Sequence, residues 1–149
     1  MSDAVIVDVD GTLAEFDPEA VREWVLTAVK DWDAFFRHMA DAEVIPEIHR
    51  VVLALKRAGY RILVCSGRPE AHREATVAWL EKHQIPYDGV YLRAPEDDEV
   101  ADEDVKEKLL ARIREHGHNP WLVIDDRKAV VDRWREMGLC CLQCAPGEF

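Results

Sequence analysis

Apolar residues in this chain fall into short continuous runs, separated by longer stretches in which they recur every third or fourth position. Short runs of this kind read as strands of a buried parallel sheet. Five of them predict strands, at Val5–Val9, Arg61–Cys65, Val90–Leu92, Trp121–Ile124 and Leu139–Cys144. Between them, Pro46–Ala58 carries Ile48, Val51, Val52 and Leu55 at helical spacing and ends before Gly59, a favoured C-terminal cap. Pro69–His83 opens with a proline in a first-turn position and is expected to bury Val77, Trp79 and Leu80. Val105–His116 stops at Gly117, and Lys128–Met137 stops at Gly138. Strands alternating with helices imply an α/β fold whose parallel sheet is covered on both faces. No repeat, low-complexity linker or boundary interrupts the pattern, so residues 1–149 are expected to form one domain.

The stretch Thr12–Glu43 departs from this alternation. Asp17-Pro18 is a helix start, followed by an apolar stripe of Val21, Trp24, Val25, Ala28, Val29 and Trp32. Asp33-Ala34-Phe35-Phe36 reads as the start of a second short helix. Such a stripe faces a core, or else the insertion, about residues 13–45, forms a small flap beside a crevice.

Composition narrows the class. A chain of 149 residues can bury a proper core, and its 48% hydrophobic and 33% charged residues are those of a globular protein. No apolar stretch approaches the roughly 20 residues that span a bilayer, so no membrane partner is expected. Met1-Ser2-Asp3 lacks the basic residues of a secretory signal, which predicts a cytoplasmic product. Cys65 lies in an apolar run, and Cys140, Cys141 and Cys144 read as buried reduced thiols of a C-terminal strand rather than a zinc site. The formal net charge of −11 disfavours broad nucleic-acid binding and argues for a small footprint.

The chemistry lies at the strand ends. The first run ends in Asp8-Val9-Asp10-Gly11-Thr12, the second in Ser66-Gly67-Arg68-Pro69, the third in Arg93 and the fourth in Asp125-Asp126-Arg127. Carboxyl ends of parallel strands share one edge, so these side chains can converge there. A helix starting at Pro69 would offer free N–H groups and a positive dipole end to a phosphate. Two acids one residue apart suit phosphoryl chemistry if a divalent cation offsets their repulsion. Mg²⁺ prefers oxygen ligands, which Asp8 and Asp125 supply. Asp8 would then attack phosphorus, and Asp10 would protonate the leaving oxygen and later deprotonate water. Ser66 and Lys106 would hold the phosphoryl oxygens, although Lys106 reads equally as a solvated helix lysine.

These residues resemble the four ordered motifs of the haloacid dehalogenase superfamily: Asp8-Val9-Asp10-Gly11-Thr12, Ser66-Gly67-Arg68, Lys106 and Asp125-Asp126. The tail Val130-Val131-Asp132-Arg133-Trp134-Arg135, through Gly138 to Pro146-Gly147-Glu148-Phe149, further resembles the 3′-phosphatase domain of phage-type polynucleotide kinase-phosphatases. The resemblance implies a three-layer α/β/α, Rossmann-like fold with a five-stranded parallel sheet and a minimal cap after the first strand. It implies Asp8 as nucleophile and Asp10 as acid–base, with Mg²⁺ held by Asp8, the Asp10 carbonyl and Asp125. Arg68 matches an arginine of that branch, and Asp102 matches an acidic partner. Thr12, Gly67, Asp126 and Arg127 would support the site and substrate. One arginine of the branch, shortly after the first motif, is missing where this chain reads Leu13-Ala14-Glu15-Phe16-Asp17, and Arg22 is the nearest candidate.

The implied activity is removal of 3′-phosphates from polynucleotide ends or nucleotides, as in DNA or RNA end repair. No Gly-x-x-x-x-Gly-Lys-Ser/Thr loop occurs in the chain, so it is not expected to act as a 5′-kinase, which leaves room for a separate kinase or ligase partner. Two alternatives stand beside this: a phosphatase for small metabolites or 5′-nucleotides, and a non-catalytic phosphate-sensing, docking or receiver-like module. Acids at Pro95–Asp104 read as a solvated loop with Asp102 the one site contributor. His116-Gly117-His118 reads as a helix end rather than a metal pair, and His72 and Arg73 as solvent-facing. Most tryptophans read as core, with base stacking by Trp24, Trp32, Phe35 or Phe36 an open extra.

Overall fold

A computed structural model describes residues 2–25 and 31–148, Val25 by its backbone alone. In chain order the elements are β1 (Ser2–Val7), α1 (Pro18–Val25), α2 (Trp32–Met39), α3 (Pro46–Arg57), β2 (Arg61–Pro69), α4 (Arg73–Lys82), β3 (Gly89–Arg93), α5 (Asp102–Glu115), β4 (His118–Asp125), α6 (Lys128–Glu136) and β5 (Cys140–Gln143). The five strands are all parallel, in the order β3-β2-β1-β4-β5. The chain therefore builds outward from β1 in one direction, then returns to its other side. That reversal sets β1 beside β4 at the switch point, where open α/β sheets form a crevice beyond the strand ends.

Pleating divides the core into two layers. Val5 and Val7 of β1 face a cluster with Val21, Phe35, Phe36, Met39, Val52, Trp79 and Leu80 from α1 to α4. Ala4 and Ile6 face the opposite cluster, with Leu109, Ile113, Val131 and Trp134 from α5 and α6. Truncating a fully buried side chain such as Leu80 or Ile113 to alanine costs about 2–5 kcal/mol. Between β1 and α3 the chain leaves and re-enters at one place, since Glu15 N donates to Glu43 O at 2.9 Å and Ile45 N to Leu13 O at 2.8 Å. Both short helices expected there, α1 and α2, are present. Of the predicted stripe, the Val25 side chain, Ala28 and Val29 lie outside the described residues.

The elements correct the sequence expectations in several places. β1 ends at Val7, because Val9 already belongs to a tight loop whose carbonyl accepts from the amides of Thr12, Leu13 and Ala14. Ser66-Gly67-Arg68-Pro69 is not a helix start: β2 runs through it, pairs again with β3 at Pro69 and Arg93 after a register shift, and α4 begins only at Arg73. A 3-10 turn at Glu70–His72, with Pro69 as its N-cap, leads into α4, so helical backbone starts just after the segment rather than within it. The segment 95–104 is not simply a solvated loop, because Asp97 is buried against Lys108 at 2.7 Å and α5 begins at Asp102. Cys141 is buried, whereas Cys140 is exposed and Cys144 half-buried beyond β5; all the cysteines are free. Trp121 is exposed, 41%, and lies against Tyr60. His116 caps α5 and meets Tyr91 Oη at 2.7 Å, and His118 opens β4, in keeping with a helix end. Among the described residues no helix is long and apolar enough to cross a membrane.

Candidate active site

The switch point gathers the motif residues. Asp8 follows β1, and its amide donates to Ile124 O of β4 at 3.1 Å, which brings it level with Asp125. One carboxylate oxygen from each of Asp8, Asp125 and Asp126 lies within 4.8 Å of the others. Lys106 reaches up from α5, donating from Nζ to Asp8 Oδ1 at 3.1 Å and to Asp125 Oδ2 at 2.9 Å. It is 2% exposed, so the solvated alternative fails. Trp134 Nε1 donates to the same Asp125 oxygen at 3.1 Å, while the Asp126 amide donates to Asp125 Oδ1 at 2.9 Å.

The loop after β1 is shaped around Asp126. Gly11 has φ +89, and a Cβ there would overlap the Asp126 carboxylate, so only glycine fits. Thr12 Oγ1 donates to Asp126 Oδ1 at 3.4 Å. The tail closes over this corner: Cys144 N donates to Asp125 O at 3.1 Å, Gln143 Nε2 to Asp126 O at 3.1 Å and Lys128 N to Gly147 O at 2.8 Å.

Asp10 points to the other side of the crevice. Arg68 grips it with two parallel hydrogen bonds, Nε to Oδ2 at 2.9 Å and Nη2 to Oδ1 at 2.6 Å. Ser66 is 2% exposed, and its Oγ accepts from the Arg68 amide at 3.1 Å. Asp102 accepts from two arginines, Arg93 Nη2 on Oδ1 at 2.5 Å and Arg127 Nη1 on Oδ2 at 2.6 Å. A Cβ at Gly67 would come within 2.5 Å of Asp102 Oδ1, so the second glycine permits this close approach. Arg22, the nearest stand-in for the missing arginine, is exposed and paired with Glu19.

Charge is unbalanced at the centre. Burial, reinforced by Asp125 and opposed by Lys106, drives the Asp8 carboxyl well above the ordinary carboxylate range. Burial and then Asp125 push Asp126 up to about 6. Burial alone would depress Lys106, but Asp125 and Asp8 outweigh it and raise it well above an ordinary lysine. One lysine cannot neutralise three acids. A hard divalent cation such as Mg²⁺ fits this all-oxygen donor set and would relieve the residual repulsion. The remaining space is an open cavity of about 460 Å³ with Asp8, Asp10, Ser66, Arg68, Lys106 and Arg127 on its floor and rim.

Sequence reasoning missed several contributors. Arg93, noted only as a strand end, is 1% exposed and also donates to the carbonyls of Gly67 at 2.8 Å, Asp97 at 2.6 Å and Val100 at 2.5 Å. An arginine closing an otherwise apolar strand was its signal. Trp134 was read as tail resemblance, yet it holds Asp125. Phe16, Trp32 and Phe35, from the expected flap, line the cavity, so packing and site-facing readings of that segment both hold.

A family model for the polynucleotide kinase PNKP phosphatase domain matches residues 2–149. A chain solved in a Pnkp1/Rnl/Hen1 complex is 31% identical with a TM-score of 0.81, the match covering 100% of this chain and 47% of that one. A chain of the Pnkp1/Rnl/Hen1 RNA repair complex is 30% identical with a TM-score of 0.81, covering 100% and 44%. This chain thus spans about half the length of those it matches. The class C acid phosphatase from Bacillus anthracis shares the fold at 19% identity, with a TM-score of 0.68 and coverage of 99% and 67%.

Proposed function

The chain belongs to the polynucleotide kinase PNKP phosphatase-domain family, a phosphatase family of the haloacid dehalogenase type, and on that premise we propose a Mg²⁺-dependent 3′-phosphomonoesterase. Its substrates are 3′-phosphorylated polynucleotide ends or nucleotides, and its setting is nucleic-acid end repair. The observation that carries the reading is the meeting of Asp8, Asp125 and Asp126 under Lys106, opposite an Asp10 gripped by Arg68.

An Asp8 oxygen attacks phosphorus as the bond to the leaving 3′-oxygen breaks, giving an aspartyl-phosphate. Asp10 gives its proton to that oxygen, then takes one from the water that attacks the phosphoenzyme, and phosphate and free Asp8 result. Ser66 and Lys106 bind the phosphoryl oxygens and meet the charge that builds on them. Asp8, the Asp10 carbonyl and Asp125 would hold Mg²⁺, with Asp126 in support. Bound there, the ion supplies charge neutralisation and Lewis acidity. Arg93, Asp102 and Arg127 keep the rim in place. With so little cover over the crevice, a nucleic-acid end can enter, and the acidic surface confines contact to a few nucleotides. The neighbours' membership of an RNA repair complex favours RNA ends and work beside separate repair partners such as a kinase or ligase.

Phosphate release from a 3′-phosphorylated oligonucleotide, 3′- and 5′-mononucleotides and sugar phosphates, with Mg²⁺ and with chelator, tests this. The 3′-phosphorylated oligonucleotide should lead the panel, and chelator should abolish release. Preference for 5′-nucleotides or sugar phosphates overturns the substrate assignment, and undiminished release in chelator overturns the metal.

A further inference from the structure

Arg68 is 3% exposed, and its guanidinium has two sets of neighbours. One is polar: the two oxygens of Asp10, and Thr76 Oγ1 of α4, which accepts from Nη1 at 3.3 Å. The other is aromatic and comes from the flap. The rings of Phe35 and Phe36 in α2 have centroids 5.6 and 4.9 Å from Arg68 Cζ. Phe36 also stacks on His72, centroid to centroid 4.4 Å with 20° between planes, which fixes the ring against the turn after β2.

A two-pronged grip fixes the plane of a carboxylate only as well as the guanidinium itself is fixed. Arginine is long and rotamer-rich. Here the faces of two buried rings, attractive to a cation, exclude its other placements. The chain of contact runs from flap helix to Phe36, to Arg68, to Asp10. We propose that Phe36, assisted by Phe35, is a positioning residue: α2 aims the acid–base Asp10 by holding Arg68 in register. The proposal rests on Asp10 being the proton donor, as assigned above.

Proton donation matters in proportion to how poor the leaving group is. A nucleoside 3′-oxygen needs the Asp10 proton as its bond to phosphorus breaks; 2,4-dinitrophenolate departs without one. The value of kcat/KM reports only steps through that first irreversible cleavage. Phe36→Leu keeps the apolar bulk and removes the ring, and Phe36→Tyr keeps the ring. The expected result for Phe36→Leu is a loss of about tenfold in kcat/KM on a 3′-phosphorylated oligonucleotide, at least fivefold larger than its loss on 2,4-dinitrophenyl phosphate. Phe36→Tyr should restore most of the activity. Arg68→Lys, which keeps charge but not the grip, should show the same selectivity, and Phe36→Met, which also removes the ring, serves if Phe36→Leu does not fold. Equal losses on the two substrates, with Asp10→Asn still separating them, overturn the positioning role alone. If Asp10→Asn itself fails to separate them, the assignment of Asp10 falls and takes the proposal with it.

Discussion

The crevice has two walls built on different principles. One is ionic: Arg93, Asp102, Lys106 and Arg127, drawn from β3, α5 and the loop after β4, each satisfied by an opposite charge or a carbonyl. The other is aromatic: Phe16, Trp32 and Phe35, drawn from the insertion after β1. The ionic wall holds its shape through directed bonds and answers to pH. The aromatic wall holds through ring contacts, Trp32 lying edge-on to Phe35 at 5.7 Å and 82°, and has no charge of its own. They meet at Arg68, which faces Asp10 with its donors and rings with its plane. On the proposed mechanism the difference separates chemistry from aim: charge on one side would handle the phosphoryl group, and packing on the other would place the acid that completes the reaction.

The largest effects are expected where the ionic wall meets the floor. Asp8→Asn keeps size and hydrogen bonding but removes the proposed nucleophile, so phosphate release should fall at least a thousandfold while the circular dichroism spectrum is retained. Lys106→Met leaves Asp8 and Asp125 facing each other in a buried site without their cation. Stability should drop by about 3 kcal/mol in denaturant titration, and Mg²⁺ should restore more of it than in the parent. Activity should fall at least a hundredfold.

The two walls were unequally legible in the sequence. Asp8-x-Asp10 and Asp125-Asp126 stood out because an apolar strand that ends in acids has no packing reason to do so. Lys106 by residue type reads equally as solvated, yet it lies three and four positions before Leu109 and Leu110, so the helical period of α5 puts it on the core face. Ser66-Gly67-Arg68-Pro69 resembles a helix start because proline suits a first turn. Renewed pairing of Pro69 with Arg93, which local sequence does not carry, settled it as strand. Arg93 gains its role from Gly67 and Asp102, partners on other elements. The aromatic wall was hidden for another reason: a stripe that lines a site and one that packs on a sheet have the same spacing.

A smaller effect distinguishes the ionic wall by its pH response. Burial pushes the Asp102 carboxyl up, but Arg127, Lys106 and Arg93 outweigh it and hold it below its ordinary 3.8. A carboxyl lowered by folding stabilises fully above its unfolded value and loses that contribution as pH falls through the folded one. Asp102→Asn should therefore cost about 2 kcal/mol at pH 7, from hydrogen bonds to charged donors, and almost nothing at the acid end. Urea titrations of parent and variant at pH 7 and below pH 4 check this. A cost that persists unchanged into acid would mean that the carboxylate charge holds nothing.

The smallest effect tests the aromatic wall on its own ground. Trp32 lies half-buried on the cavity rim, and on the proposed reading a terminal base entering with a 3′-phosphate stacks against its ring. Removing that face in Trp32→Ala should raise KM for a 3′-phosphorylated oligonucleotide about fivefold, the equivalent of about 1 kcal/mol of stacking, and leave kcat within twofold. Because no charge is lost, the ratio to parent should stay flat between pH 5 and 8. Glycerol phosphate has no base to stack, so its KM should rise less. If KM rises equally for both substrates, the ring serves only to pack Phe35, and recognition of the nucleoside has to come from the ionic wall instead.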